Sequence, residues 1–173
     1  MLNFVFRHRN IGIMENLEFV IRKGTKDDVE IIYNFIYQLA EYEKLTHEVT
    51  TTPDELAKTL FSENTHTHTI IGFYKNKPVG FALYFYNYST FKGKPGLYLE
   101  DLFVIPEMRG KGFGKNLLIE LAKIAKVNNC ARFEWSVLDW NKPAIDFYKS
   151  LGANPMDEWT VFRLSENGIN ELV

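Results

Sequence analysis

Leu97-Tyr-Leu-Glu-Asp-Leu-Phe-Val-Ile-Pro-Glu-Met-Arg-Gly-Lys-Gly-Phe-Gly-Lys-Asn-Leu-Leu118 joins one regular segment to another through a turn of glycines. Leu97 to Val104 is rich in apolar and aromatic residues and reads as a strand. Pro106 stops it, because proline cannot donate to a sheet ladder and pre-sets a turn. Arg109, Gly110, Gly112 and Gly114 follow. Beyond them Leu117, Leu118, Leu121, Ala122 and Ala125 recur at helical spacing, with Lys115, Glu120, Lys123 and Lys126 between them. Strand, glycine turn and amphipathic helix present the backbone N–H groups of a helix start to an anion. Glycines at alternate positions let a bulky phosphate approach the main chain, since no Cβ stands in the way. The spacing is not Gly-x-Gly-x-x-Gly followed by a ribose-binding acid. Nor is it a P-loop, because Lys115 is followed by Asn116 and no glycine stands five residues before Gly114. A glycine-rich helix entry without a ligand stays open on these residues alone. Arg109 directly before the glycines favours the anion.

The remainder bounds the class of protein. The 173 residues, 46% of them apolar, suit one globular domain with a real core. A net charge of −2 leaves no dense Lys/Arg face to neutralise phosphates, which argues against a nucleic-acid partner. The longest apolar runs are far too short to span a membrane, so no membrane partner is expected. A single cysteine, Cys130, cannot close an internal disulfide, and a reducing cytoplasm is the expected location. Cys130 itself reads as small core filler rather than a reactive thiol. Residues 1–16 do not resemble part of a fold. Arg7, His8 and Arg9 follow a short apolar start, the next apolar run is broken by Asn10 and Gly12, and no small-residue cleavage site follows. They are expected to be an N-terminal extension, with residues 1–13 a mobile segment or an upstream start and residues 17–173 forming a single domain.

Within that domain, Phe19 to Arg22 reads as the first strand. Thr25 or Asp27 can cap a helix to about Glu43, with Val29, Ile32, Ile36, Leu39 and Ala40 on its buried side. Thr52-Pro-Asp-Glu55 is a helix start, with a cap, a proline in the first turn and acids near the positive dipole end. That helix should reach Phe61. Ser62 to Thr69 reads as polar loop, in which His66 and His68 have no further ligands nearby and no metal is expected. Ile70 to Tyr74 and Val79 to Tyr86 form an antiparallel hairpin around Asn76-Lys77. Asn87 to Gly96 is read as loop and Ala131 to Val137 as a strand. Pro143 to Ser150 is a helix ended by Gly152, Trp159 to Leu164 the last strand and Ser165 to Val173 a tail. This order predicts an α/β (α+β) fold, with a mixed, mostly antiparallel central sheet flanked by helices.

Three separated segments, in this order, resemble one family. Arg109-Gly-Lys-Gly-Phe-Gly-Lys115 after a strand resembles the acetyl-CoA pyrophosphate loop of the GNAT superfamily of N-acetyltransferases. Tyr98-Leu-Glu-Asp-Leu-Phe-Val104 and Trp140-Asn-Lys-Pro-Ala-Ile-Asp-Phe-Tyr148 resemble its diamine (spermidine/spermine) branch, including the thialysine-acetylating relatives. The likeness runs from about Phe19 to about Leu164. It implies the GNAT fold, and transfer of an acetyl group from acetyl-CoA to a primary amine of a small molecule, a thialysine or other lysine analogue or a short diamine. Spermidine or spermine, a protein or peptide amine, and a non-catalytic acetyl-CoA-binding module are the alternatives. The resemblance also implies a homodimer.

By the same resemblance, acetyl-CoA is held by Leu102, Phe103, Val104, Arg109, Gly110, Lys111, Gly112, Phe113, Gly114, Lys115, Asn141, Lys142, Pro143, Ala144 and Tyr148. No metal takes part. The amine is met by Tyr42, Glu43, Ser89, Glu100, Asp101, Glu134, Trp135, Ser136 and Glu158. Read without the family, Glu41 and Glu43 are equally well solvated helix surface. Polyamine-acetylating members tend to carry an acid and a tryptophan where this chain has Ser89, Thr90 and Phe91, a departure that favours the thialysine-type pattern.

The chemistry demands particular groups. A primary amine with a pKa of ~10.4 is almost wholly protonated at neutral pH, and only the free amine attacks a thioester. A base must take its proton, directly or through water. The leaving thiolate gains from a nearby acid, and a phenol fits. Backbone N–H groups of the central strand can hold the developing oxyanion. By resemblance Tyr148 is the acid and Glu100 the water-linked base, with Asp101 helping to hold the cation. Strand parity opposes this, because neighbouring Glu100 and Asp101 should face opposite sides of a regular strand. Only a bulge or splay would let both line one cleft. A structural role for one acid stays open, as does a core-aromatic role for Tyr148 beside Ile145, Phe147 and Leu151.

Overall fold

The computed structural model describes residues 18–173, so the expectation for residues 1–16 lies outside the described residues. Five strands form one sheet in the order β1-β2-β3-β4-β5: β1 is Phe19–Lys23, β2 Thr67–Tyr74, β3 Lys77–Ser89, β4 Lys94–Val104 and β5 Phe133–Trp135. The first three pairings are antiparallel and β4–β5 is parallel, the mixed sheet that the element order predicts. Lys75 and Asn76, with φ of 50° and 61°, make the two-residue turn of the β2–β3 hairpin, a conformation asparagine tolerates.

Both faces of the sheet are covered. Helices α1 (Val29–Glu43) and α2 (Pro53–Leu60) bury Val29, Ile32, Phe35, Leu56 and Leu60 against Ile71, Phe81, Leu83 and Phe103. Each such side chain contributes about 1.5–3 kcal/mol on burial. Helix α2 starts as its sequence suggests: the Glu55 N–H donates to Thr52 Oγ1 at 3.3 Å and the Thr52 N–H to Glu55 Oε2 at 2.9 Å. Helix α3 (Phe113–Val127) covers the opposite face through Leu117, Leu118 and Leu121. Gly72, next to Ile71, faces Phe19, whose ring stacks on Phe113 at 4.3 Å. Successive strand residues point to opposite faces, so Ile71 and Gly72 mark an α1 face and an α3 face.

Several boundaries differ from the sequence reading. Asn87 to Gly96 is not a loop: β3 runs on to Ser89 and β4 begins at Lys94, because backbone pairing continues where glycine and proline hide the pattern. Thr67 to Thr69 belongs to β2, where His68 packs 5.3 Å from Tyr84. Strand β5 is shorter than Ala131 to Val137.

The chain forms two compact units, one ending at Ser136 and one spanning Val137–Val173. The second holds α4 (Lys142–Ser150), stopped at Gly152 with φ +88°, and α5 (Glu166–Leu172), capped by Ser165 Oγ accepting from the Gly168 N–H at 3.2 Å. The residues read as a tail thus form a helix. Trp159 to Leu164, read as a strand, is not one: it has no ladder partner within this unit, and Phe162 is 90% exposed. No helix among the described residues is long and apolar enough to cross a membrane.

Candidate active site

The ladder between β3 and β4 slips at one place. Leu83 pairs with Asp101 and Tyr84 with Leu99, which leaves Glu100 as an extra residue on β4. This bulge resolves the parity conflict. Asp101, opposite Leu83, belongs to the α1 face; Leu99, opposite Tyr84, is buried on the α3 face; Glu100 between them is exposed. Half-buried Glu43 is the last residue of α1, which Lys44 ends in the left-handed conformation with φ 62°. Burial pushes the Asp101 carboxyl up to about 7, and the charges of Glu100 and Glu43 push it the same way. Burial raises Glu43 as well. Among the described residues, no ion pair holds any of the three, and none of their acids and histidines cluster as a metal site would. A carboxyl near 7 among other carboxyls attracts a cation and can accept a proton at neutral pH.

At the same point β4 loses its outer neighbour. It pairs with β5 only from Leu97 to Leu99, opposite Phe133 to Trp135. From Glu100 to Val104, no described strand lies along that edge, so alternate backbone groups there can meet a ligand. Leu102 and Val104 are half-buried on this segment, whereas the Phe103 side chain is taken up by the core, so only its backbone can serve.

The glycine loop follows a short turn at Pro106–Met108. Gly110 and Gly112 have φ of +77° and +82°, and a Cβ on either would meet nothing within 4 Å. An open cradle therefore lies at the start of fifteen-residue α3, whose first N–H groups have no intrahelical acceptor. Lys111 and Lys115 are exposed beside it. Arg109 donates from Nε to the Val104 carbonyl at 2.9 Å and lies over the Tyr42 ring at 4.5 Å. Tyr42 thus supports the loop's arginine. Gly114 lies over Val104, and Phe113 is buried in the stack with Phe19.

Past the bulge, the α1 face is polar. Tyr98 pairs with Phe85 on one side and Glu134 on the other, and its hydroxyl lies 2.8 Å from Ser136 Oγ. The Glu134 carboxylate accepts from Arg132 Nε at 2.9 Å and Asn87 Nδ2 at 3.0 Å. Gly96 makes this possible, since a Cβ there would stand 2.2 Å from Asn87 Oδ1. Trp135, opposite Leu99, belongs to the α3 face, away from Glu134. Ser89 is buried six residues along β3 from Leu83, about 20 Å by strand rise. The structure does not bring Trp135 or Ser89 to the acids.

A model of the acetyltransferase (GNAT) family matches residues 31–153. The chain belongs to that family. The thialysine N-epsilon-acetyltransferase of Sus scrofa is 37% identical over 164 residues, 88% of this chain and 96% of that one. The L-ornithine N5-acetyltransferase of Arabidopsis thaliana is 31% identical, over 88% of this acetyltransferase and 86% of the plant protein. Among solved structures, an integron cassette protein from V. cholerae superposes with a TM-score of 0.77 at 31% identity, covering 90% of this chain and 97% of its own.

The family implies acetyl-CoA as the donor of this acetyltransferase. The open cradle at Gly110 and Gly112, with its three cationic side chains and helix start, fits a pyrophosphate. In the second unit, Asn141 is buried and caps α4, its Oδ1 accepting from the Ala144 N–H at 3.3 Å. Pro143 sits in the first turn, and Lys142 pairs with Asp146. Tyr148 is half-buried on α4 beside Phe147, and Glu158 is exposed outside any helix. Sequence reasoning missed Tyr98, Asn87 and Arg132. The alternation of β4 could have found Tyr98 only with the bulge already located.

Proposed function

We propose that this acetyltransferase acetylates the terminal primary amine of a small molecule, a thialysine or other lysine analogue or a short diamine. The observation that carries the reading is the meeting of Glu43, Glu100 and Asp101 at the bulge, with Asp101 near 7 and no cation among the described residues to pair it. An ammonium entering there supplies the missing positive charge, and the acid that holds it can take its proton. Asp101 suits proton acceptance, directly or through water, and exposed Glu100 suits steering the ammonium. The base role that the family pattern gives to Glu100 falls in this reading to Asp101. Bound acetyl-CoA supplies the activated acetyl thioester. Arg109 to Lys115 hold its pyrophosphate, the open edge of β4 from Glu100 to Val104 holds the acyl arm, and on the sequence pattern the Tyr148 phenol protonates the leaving thiolate. The names of the pig and plant relatives agree with an amine of this size. Ser89 carries no part of the choice, because its side chain is buried.

Two further readings accompany this one. The lone, half-buried Cys130 suits a reducing cytoplasm, where we place the enzyme. The family resemblance points to a homodimer, and exposed Trp159, Val161 and Phe162 offer apolar area for it. The deciding experiment follows thiol release from acetyl-CoA against thialysine, lysine, ornithine, putrescine, cadaverine, spermidine, spermine and short peptides. Turnover concentrated on thialysine, lysine, ornithine or the short diamines is the expected result. Turnover of peptides alone would sink the small-amine reading. Binding of acetyl-CoA with no release across the panel would leave a non-catalytic binding module.

A further inference from the structure

We propose that the groove between the β1 edge of the sheet and the later turns of α3 is a second binding site, for a small carboxylic acid with an apolar body. The groove has a volume of about 260 Å³, with Ile21, Lys23, Ile70 and Tyr84 on the strand side and Glu120 and Ile124 on the helix side. Strand register places it. Lys23 lies opposite Ile70 and Ile21 opposite Gly72, so these side chains share the α3 face, away from Asp101 and Glu43. The Phe19 ring covers Gly72 and stacks on Phe113, which fills the space at the start of α3. Ile21 and Lys23, the next residues of β1 on that face, bring no ring to continue the stack, and no described strand lies outside β1 to close the side. Glu120 and Ile124, one turn apart, therefore face the strands across open space. By helix rise Glu120 is about 12 Å from Gly112, so the groove is separate from the pyrophosphate cradle.

Charge chooses the ligand. The Glu120 carboxylate is paired with Lys123 at 3.0 Å. Arg22 also borders the groove, but its guanidinium is bound to Asp28. Lys23 is exposed and has no ion pair among the described residues. His68 lies two residues from Ile70 on the same face, its ring 5.3 Å from that of Tyr84. Burial first, then the charges of Lys23 and His66, hold His68 below its ordinary value, so its imidazole is neutral at pH 7. Burial pushes the Tyr84 phenol up to about 12, and it too is uncharged. An unpaired ammonium thus stands at the rim of a floor of isoleucines with neutral rings at one end. The volume equals that of roughly nine liquid waters, which suits a body of hexanoate's size. Expelling those waters from the isoleucines favours a hydrocarbon chain, and Lys23 favours a carboxylate at its end. A small inorganic anion would leave the floor wet, and a cation would meet Lys23.

The test follows the isoleucine methyl NMR signals of the full chain, saturated with CoA so that the donor site is filled, as hexanoate is added. Saturable shifts at Ile21, Ile70 and Ile124 are expected, with Ile32 and Ile36 on the α1 face unmoved. Acetate has the charge without the body, and hexan-1-ol the body without the charge. Each should bind at least about fivefold more weakly than hexanoate. Lys23→Gln, at an exposed position, should fold as wild type does, weaken hexanoate about fivefold and leave hexan-1-ol unchanged. No saturable shift at the groove isoleucines would overturn the site. Equal binding of hexanoate and hexan-1-ol, or no loss in Lys23→Gln, would overturn the carboxylate. Tighter binding of hexan-1-amine at the same three isoleucines would give the groove to a cation through Glu120, and would overturn the assignment as well.

Discussion

A carboxyl group stands by each end of helix α1, buried Asp28 before it and half-buried Asp101 of β4 beyond it, and the two are treated in opposite ways. Asp28, just before its first turn, accepts Arg22 Nη1 at 2.7 Å and Nη2 at 2.8 Å, and the Thr25 N–H and hydroxyl at 2.8 Å each. The Arg22 bonds lead in holding its carboxyl down at about 2, and the Thr25 bonds add to them. Past the last turn, Asp101 has Glu43 and Glu100 for charged neighbours and is pushed up to about 7. The helix dipole favours an anion at the first end and disfavours Glu43 at the other. The fold satisfies Asp28 from within. Among the described residues it gives Asp101 no cation, and that place is one a substrate ammonium can fill.

The pair should therefore respond to pH with opposite signs. Below its ordinary 3.8, Asp28 in the unfolded chain takes a proton that the folded pair resists. Its stabilisation is present above 3.8 and is lost as pH falls toward about 2. Asp101 keeps a proton in the folded state that the unfolded chain has released. Its contribution is full below 3.8 and is lost as pH rises through about 7.

The largest effect should come from Asp101→Asn. It should lower kcat/KM by about 10²-fold or more, since the proton acceptor is gone. The same change should raise the melting temperature at pH 8 and by a smaller amount at pH 5, because only below 3.8 is the wild-type group protonated in both the folded and the unfolded chain. Thermal melts at both pH values, beside the kinetics, check this. A variant as active as wild type, or equally stable at both pH values, breaks the contrast with Asp28. Next in size is Asp28→Asn, the mirror case. Removing the charge that binds Arg22 should cost about 2 kcal/mol at pH 7, with kcat/KM per folded molecule unchanged. Urea unfolding should show that cost shrinking as pH approaches 3.

Half of this contrast is legible in the sequence. Thr25 before an apolar helical run marks a helix start, though the acid that completes the cap is Asp28 and not Asp27, and Thr52 with Glu55 marks the next. The glycine loop is legible for the same reason: its chemistry is local. The acidic end is not. Counting by twos from Asp101 selects Leu99 and Leu97, which lie on the α3 face; the extra residue at Glu100 shifts the phase and puts Tyr98 beside Asp101 instead. Where a bulge falls depends on both strands at once, and neither Leu83 nor Tyr84 announces it. Trp159 to Leu164 fails for a related reason, because β-rich composition makes a strand only where a second strand supplies the ladder.

The smallest expected effect tests how the acidic end is built. If desolvation is the main force on Asp101 and Glu43 only adds to it, Glu43→Gln should move the acid limb of the kcat/KM profile below its wild-type position near 7, by a minor part of the distance to an ordinary carboxylate. The direction follows from charge alone: one fewer negative neighbour makes the Asp101 anion easier to form. The limb is read with a saturating donor and the amine well below its KM, so that it reports the free site. An upward move would mean that Glu43 shields Asp101 rather than crowding it. A collapse of the limb to the ordinary carboxylate range would make the three acids one coupled unit, with burial the lesser cause. Either result would redraw the difference between the two ends of α1, because Asp28 owes its low value to partners that can be removed one at a time, whereas Asp101 owes most of its high value to the walls around it.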